Sequence, residues 1–247
     1  MLHKIMKIFG MILCHNCEKL LPRAIEKVPF DQFDYVFVTD DGSTDRSVEI
    51  AKKLGMDVTI SKKKGYGANV KHGLKYAFSH GADYVVEIHG DGAQFDPIAI
   101  KPAKKFIDKK YDYIIGSRLI DIKRTIELKM PWPRLIANII LSKLDTIILN
   151  LPLSECNSGF IIYGPFFKDL NYENTSDGHL FSFQIVAISA YANLKCADVP
   201  VDCDYESEHT SLSYPKAIIF VIMHFKVLFD FIISKYLKKP RGIFLNL

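Results

Sequence analysis

The chain has 247 residues, 49% of them apolar, with 32 lysines and arginines against 28 aspartates and glutamates. That length suits one α/β domain with a substantial core, and the apolar content excludes a disordered tail. A formal charge of +4, without arginines interleaved among aromatics, gives no sign of a nucleic-acid surface.

At the N-terminus, lysines precede a short apolar run between Met1 and Leu13 that imitates a secretory leader. No small-residue cleavage site follows, and Asn16 and Glu18 arrive at once, so the run reads as a first strand over Ile8 to Cys14. Cys14-His15-Asn16-Cys17 spells Cys-x-x-Cys. The five cysteines, Cys14, Cys17, Cys156, Cys196 and Cys203, form no even framework, which points to a reducing compartment. With no second ligand pair at zinc spacing, Cys14 and Cys17 read as small apolar residues closing the strand.

A helix is expected over Glu18 to Lys27 and a strand over Tyr35 to Thr39. That strand runs into Asp40-Asp41-Gly42-Ser43-Thr44-Asp45, where Ser43 and Asp45 offer capping oxygens to a helix over Thr44 to Leu54. Strands over Asp57 to Ile60, Tyr84 to Ile88 and Tyr113 to Ile115 alternate with helices over Ala68 to Ser79 and Pro97 to Lys109. This rhythm is how a mostly parallel sheet is written. After Arg118 the rhythm changes. Met130-Pro131-Trp132-Pro133 breaks the chain before a long apolar helix over Leu135 to Leu151, a strand over Phe160 to Tyr163, a helix over His179 to Ala192 and a strand over Ala197 to Cys203.

The last helix, Lys216 to Leu237, is long enough to cross a bilayer. His224, Lys226, Asp230, Ser234 and Lys235 interrupt it, and a charge at mid-membrane costs at least ~2.5 kcal/mol. Two readings stay open. One is a helix lying in a membrane interface, with Lys238, Lys239 and Arg241 meeting anionic head groups; the other is a core helix. The expected division is a domain over 1–214 followed by an apolar amphipathic helix and basic tail over 215–247.

Ligands of open α/β sheets bind at the carboxyl ends of the strands, and here those ends carry acid. Asp40 and Asp41 are adjacent carboxylates that repel unless a cation or hydrogen-bond donors join them. Turn chemistry explains Gly42 and Ser43 but leaves the doubled aspartate over. In His89-Gly90-Asp91 the alternate side chains point the same way, so an imidazole and a carboxylate converge. A hard divalent ion that also meets phosphate oxygens, Mg2+ or Mn2+, suits so small a ligand set. Lys62 to Gly73 is a glycine-bearing loop feeding a helix, without the Gly-Lys-Ser/Thr of a P-loop or the spacing of a dinucleotide fingerprint.

Val38 to Asp45 resembles the nucleotide-binding signature of family 2 glycosyltransferases. It is accompanied in order by Asn16, by Lys64-Gly65-Tyr66-Gly67-Ala68, and by His89-Gly90-Asp91 with Gln94-Phe95-Asp96-Pro97. Gly116-Ser117-Arg118 and Glu155-Cys156-Asn157-Ser158-Gly159-Phe160 complete the set. The similarity is greatest to the branch that resembles dolichyl-phosphate mannosyltransferases and bacterial polysaccharide-assembly enzymes. It implies a single GT-A domain and inverting, metal-dependent transfer of a hexose from a nucleotide-diphosphate sugar to a lipid phosphate or growing surface glycan. By this resemblance Asn16, Asp40, Asp41, Ser43, Lys64 and Gly65 bind the nucleotide, and Arg118 lies by the diphosphate. Asp91 and His89 hold the metal and Glu155 is the catalytic base. The place of action is the cytoplasmic face of a membrane, touched peripherally. Four departures from the family pattern stand out: His89 in place of an aspartate, an extra residue near Ala93, Ile161 where relatives place arginine, and Cys17 after Asn16. A sugar-phosphate nucleotidyltransferase and a non-catalytic nucleotide-sugar-binding paralogue are the alternatives.

Overall fold

A computed structural model describes residues 6–92, 94–205, 214–245 and 247, with residues 214–218 described by backbone alone. The start of the leader-like run and Ala93, the candidate extra residue, lie outside the described residues.

Seven strands form one sheet in the order β3-β2-β1-β4-β6-β5-β7. They are β1 (Ile8–Cys14), β2 (Tyr35–Asp40), β3 (Asp57–Ile60), β4 (Tyr84–His89), β5 (Tyr113–Ser117), β6 (Ile161–Tyr163) and β7 (Cys196–Pro200). All neighbours run parallel except β6, which is antiparallel to both β4 and β5. The central strands are apolar on both faces because helices cover both. Phe9, Met11, Phe37 and Val85 pack on one face under α3 (Tyr66–Ser79) and α7 (Leu180–Tyr191). Ile12, Val38, Val86 and Ile88 pack on the other, under α1 (Leu21–Glu26) and α4 (Ile100–Asp108).

Local chemistry moved several boundaries. The second helix, α2, is Ser47–Lys53, three residues later than expected at its start. The Asp45 carboxylate accepts from the backbone N–H of Ser47, while Ser43 turns away to donate to Asp40, so only one of the two expected caps is made. Pro97–Ala99 is a 3-10 turn on which α4 is built, its Asp96 carboxylate accepting from Ile98 N–H. A short helix, α5 (Ile122–Glu127), is held by the Asp121 side chain and was not anticipated.

The two long apolar helices are α6 (Trp132–Leu149) and α8 (Tyr214–Tyr236). They pack together through buried His224 and Asp145, whose side chains hydrogen-bond at 2.7 Å. Helix α8 is two-faced. Val227, Leu228 and Phe231 belong to the same core as the sheet, whereas Ile219, Ile222, Phe225 and Phe229 face outward. Trp132, Ile136, Ile140 and Ile147 continue an exposed apolar stripe along α6 at helical spacing. One face of the last helix is therefore core, and the other is exposed and apolar. Among the described residues, no helix is long and apolar enough to cross a membrane.

Two neighbouring phenylalanines measure the difference between these faces. Phe231→Ala, at 1% exposure, is expected to cost about 3–5 kcal/mol of unfolding free energy in urea. Phe229→Ser, at 57% exposure, should change it by no more than about 0.5 kcal/mol.

Candidate active site

The three strands β2, β1 and β4 end level, because Leu13 of β1 pairs with Thr39 on one side and His89 on the other. Pairing continues one step past the strands, with Asp41 N–H donating to the Cys14 carbonyl and Gly90 N–H to the Leu13 carbonyl. Asp41 and Asp91 thus leave the same edge on either side of β1, about 10 Å apart at an ordinary strand spacing.

On the β2 side the residues make one hydrogen-bonded loop system. Asp40, 1% exposed, accepts from the backbone N–H and the hydroxyl of Ser43. Both carboxylate oxygens of Asp41 accept the Gly65 N–H at 2.9 Å. Asn16, at φ +47°, donates its backbone N–H to the Ser43 hydroxyl and accepts from Thr44 N–H at 2.8 Å. Gly65 adopts φ +120°, and a Cβ there would stand 2.4 Å from the Asp177 carbonyl, so glycine is required. The exposed Lys64 chain passes beside Gly42. The doubled aspartate has a structural use after all: one residue closes the turn and the other fastens the next loop. Beneath this system the Cys14 and Cys17 thiols lie 2.7 Å apart and buried.

On the β4 side, His89 stands at the edge with its side chain 23% exposed, above a fully buried Glu87. Its Nε2 is 3.2 Å from Glu87 Oε1. Burial disfavours the imidazolium, but the hydrogen bond and charge of Glu87, with the charge of Asp91, outweigh it and raise the His89 pKa. Gly159 lies against this ring: a Cβ there would meet Phe95 at 2.6 Å and His89 Nε2 at 2.9 Å.

Among the described residues, three buried polar atoms of the motif segments have no hydrogen-bond partner: Asp91 Oδ1, Gln94 Nε2 and Asn157 Nδ2. Gln94 and Asn157 flank the Phe95–Arg118 contact, since Arg118 stacks over the Phe95 ring at 5.2 Å and donates to the Asn157 carbonyl at 2.7 Å. A buried donor or acceptor left open in this way is what a polar ligand would satisfy. Among the described residues no three His, Cys, Asp or Glu side chains cluster to hold a metal by themselves. A cation at Asp91 and His89 would need oxygens from a ligand to complete its shell.

Arg118 and Glu155 are together, but inward. The Arg118 side chain is 3% exposed and that of Glu155 0%. Glu155 Oε1 accepts from Nε at 2.9 Å and from Nη2, while Oε2 accepts the Arg118 backbone N–H at 2.7 Å. Arg118 Nη1 also donates to the Tyr205 hydroxyl. Burial alone would lower the Arg118 pKa; the charge and hydrogen bonds of Glu155 more than reverse it. Ile161, one of the expected departures from the family pattern, is fully buried in β6 among core residues. Gln94 and Asn157 stood in the motifs without a role of their own, and Glu87 and Tyr205 were not singled out. Glu87 alone had left a signal, as a charge in the otherwise apolar run of β4.

Residues 11–164 match the family model described as glycosyl transferase family 2. An uncharacterized protein of Methanocaldococcus jannaschii is 27% identical over 232 residues, 93% of this chain and 92% of that protein. The UDP-N-acetylglucosamine–dolichyl-phosphate N-acetylglucosaminyltransferase of Methanococcus voltae is 26% identical over 171 residues, 62% of this chain and 67% of the relative. The glycosyltransferase AglJ of Haloferax volcanii is 27% identical, and only about half of it (53%) is covered. Among solved structures, Mycobacterium tuberculosis glucosyl-3-phosphoglycerate synthase in complex with Mn2+ and UDP-glucose aligns with TM-score 0.63 at 14% identity. That alignment spans 92% of this chain and 79% of the synthase, and shares the GT-A fold. The chain belongs to glycosyl transferase family 2.

The buried ion pair makes a stability prediction independent of any substrate. Glu155→Ala leaves the Arg118 guanidinium buried without its counter-charge and is expected to cost about 3–5 kcal/mol in chemical denaturation. A loss below about 1 kcal/mol would mean that Arg118 finds water or another acceptor.

Proposed function

We propose that this glycosyltransferase moves a hexose, with inversion, from a nucleoside-diphosphate sugar to a phosphate-bearing acceptor, a polyprenyl phosphate in preference to the hydroxyl of a growing surface glycan. It would work at the cytoplasmic face of a membrane. The observation that supports this most is the unpartnered buried oxygen of Asp91 among the described residues, at the same sheet edge as Asp41 on the other side of β1.

In this reading Asn16, Asp40, Asp41, Ser43, Lys64 and Gly65 shape the seat of the base and ribose. Lys64 is the exposed cation among them. Asp91 and His89 would hold Mn2+ or Mg2+, and the open Asp91 oxygen fits that task. The ion, when bound, offsets negative charge gathering on the departing diphosphate. The Gln94 and Asn157 amides would donate to phosphate or sugar oxygens.

The acceptor preference rests on Glu155. A sugar hydroxyl attacking the anomeric carbon must lose a proton to a base. Glu155 meets Arg118 with both oxygens and exposes no atom, so serving as that base requires the pair to open. A phosphate acceptor is already anionic and needs chiefly to be positioned. Glu155 then serves by holding Arg118 rigid beside the diphosphate. The Methanococcus voltae relative, a UDP-N-acetylglucosamine–dolichyl-phosphate N-acetylglucosaminyltransferase, agrees with that choice.

The exposed stripe along α6 and α8 suits a membrane surface, with Lys238, Lys239 and Arg241 exposed at its end. Residues 215–247 are then the membrane-touching segment attached to the domain formed by 1–214.

A thermal-shift panel of UDP-, GDP- and dTDP-sugars tests the donor. The right one, at about a hundredfold over its Kd, should raise Tm on the order of 5–10 °C with Mn2+ present. Asp91→Ala should abolish the Mn2+-dependent part; an unchanged shift would sink the metal assignment. Binding without turnover on any acceptor would leave only a nucleotide-sugar-binding role. Replacing Lys238, Lys239 and Arg241 together by serine should weaken sedimentation with anionic vesicles about a hundredfold, at roughly 1 kcal/mol per basic residue.

A further inference from the structure

Glu87 is an anomaly in its strand. Its neighbours Val85, Val86 and Ile88 are core residues, and on the alternating pattern Glu87 shares with Val85 the face covered by α3 and α7. Its side chain is 0% exposed. A carboxylate so placed costs several kcal/mol unless donors surround it. Three do. Tyr66 at the start of α3 donates its hydroxyl to Oε1 at 2.5 Å, Tyr163 of β6 donates to Oε2 at 2.7 Å, and His89 Nε2 lies 3.2 Å from Oε1. The Ser182 hydroxyl of α7 donates to Tyr66 in turn, so four elements meet at this group.

A carboxylate can only accept, so both tyrosine hydroxyls point their protons at Glu87. Two hydroxyls and a ring nitrogen converging on a group that only accepts leave one tautomer for the neutral imidazole, with the proton on Nε2. We infer that Glu87 is a positioning residue for the metal site: it holds the His89 ring by its Nε2–H and leaves Nδ1 as the nitrogen offered to a divalent cation beside Asp91. This rests on the assignment of His89 and Asp91 as metal ligands. A carboxylate behind a ligating histidine orients the ring and strengthens it as a donor, and losing such a partner weakens metal binding ten- to a hundredfold.

Glutamine at position 87 keeps the size but has a single acceptor oxygen, so one of the three donors must face its amide N–H2. In the full chain with UDP as nucleotide, Mn2+ affinity read from the paramagnetic resonance of free Mn2+ should fall ten- to a hundredfold in Glu87→Gln. It should stay within about twofold in Tyr163→Phe, which removes a different partner of Glu87 and leaves His89 its own. Wild-type Mn2+ affinity in Glu87→Gln overturns the inference. A long-range 1H–15N spectrum of the metal-free protein, at alkaline pH where the imidazole is neutral, needs no variant. It should show His89 protonated on Nε2, and a proton on Nδ1 overturns the inference even if Glu87→Gln fails to fold. Loss of the metal reading looks different: Asp91→Ala then binds Mn2+ as well as wild type, while the tautomer still judges Glu87.

Discussion

Negative charge buried at the ends of parallel strands has to be met by hydrogen-bond donors or cations, and in this protein each such carboxylate draws in a different part of the chain. Asp40 takes the Ser43 turn, Asp41 takes the loop before α3, Glu87 takes tyrosines from α3 and β6, and Glu155 takes Arg118. These are charge-assisted bonds, roughly twice as strong as neutral ones, and a partner lost would leave a desolvated charge behind. The edge of the sheet is therefore rigid for the same reason that it is acidic. A site that must stabilise charge developing on a diphosphate benefits from dipoles already fixed in place, since they need no reorganisation as the reaction proceeds.

The fold was largely legible because periodicity reports burial. Strand β1 was read at its observed bounds and β3 likewise, and each remaining strand was placed within three residues at either end. Errors fell where side chains compete with the backbone. Ser43 had two possible partners, the N-terminus of α2 and the carboxylate of Asp40, and only the folded loop decides between them. The short α5 depends on one aspartate cap and has too few apolar residues to leave a periodic trace. Residues with turn chemistry carry such ambiguity by nature.

The candidate site was legible as a set of residues and less so as a set of roles. Asn16, Asp40, Asp41, Ser43 and Gly65 were grouped from sequence order, and they do share one hydrogen-bonded system. What order along the chain could not carry is partnership across it. Arg118 and Glu155 lie 37 residues apart, and their pairing, which removes both from solvent, appears only when β5 and the loop before β6 are side by side. Glu87 is the instructive contrast, because a charge inside an apolar strand is visible in the sequence, whereas its three partners are not.

The exposed face of α6 and α8 follows from the same economy of surface. Helix α7 is buried along nearly its whole length, so the layer outside it must be apolar on its inner side. That requirement accounts for Val227, Leu228 and Phe231, which reach the core. It does not account for Ile136, Ile140, Ile147, Ile222 or Phe229 on the outer side, where polar residues would cost the fold nothing. In the proposed function, two adjacent helices carrying the same outward pattern and ending in a basic tail meet a surface that is apolar within and anionic at its boundary. A bilayer has that profile. A lipid-linked phosphate is presented at the same boundary, which ties this outer layer to the acceptor inferred from the closed Glu155–Arg118 pair.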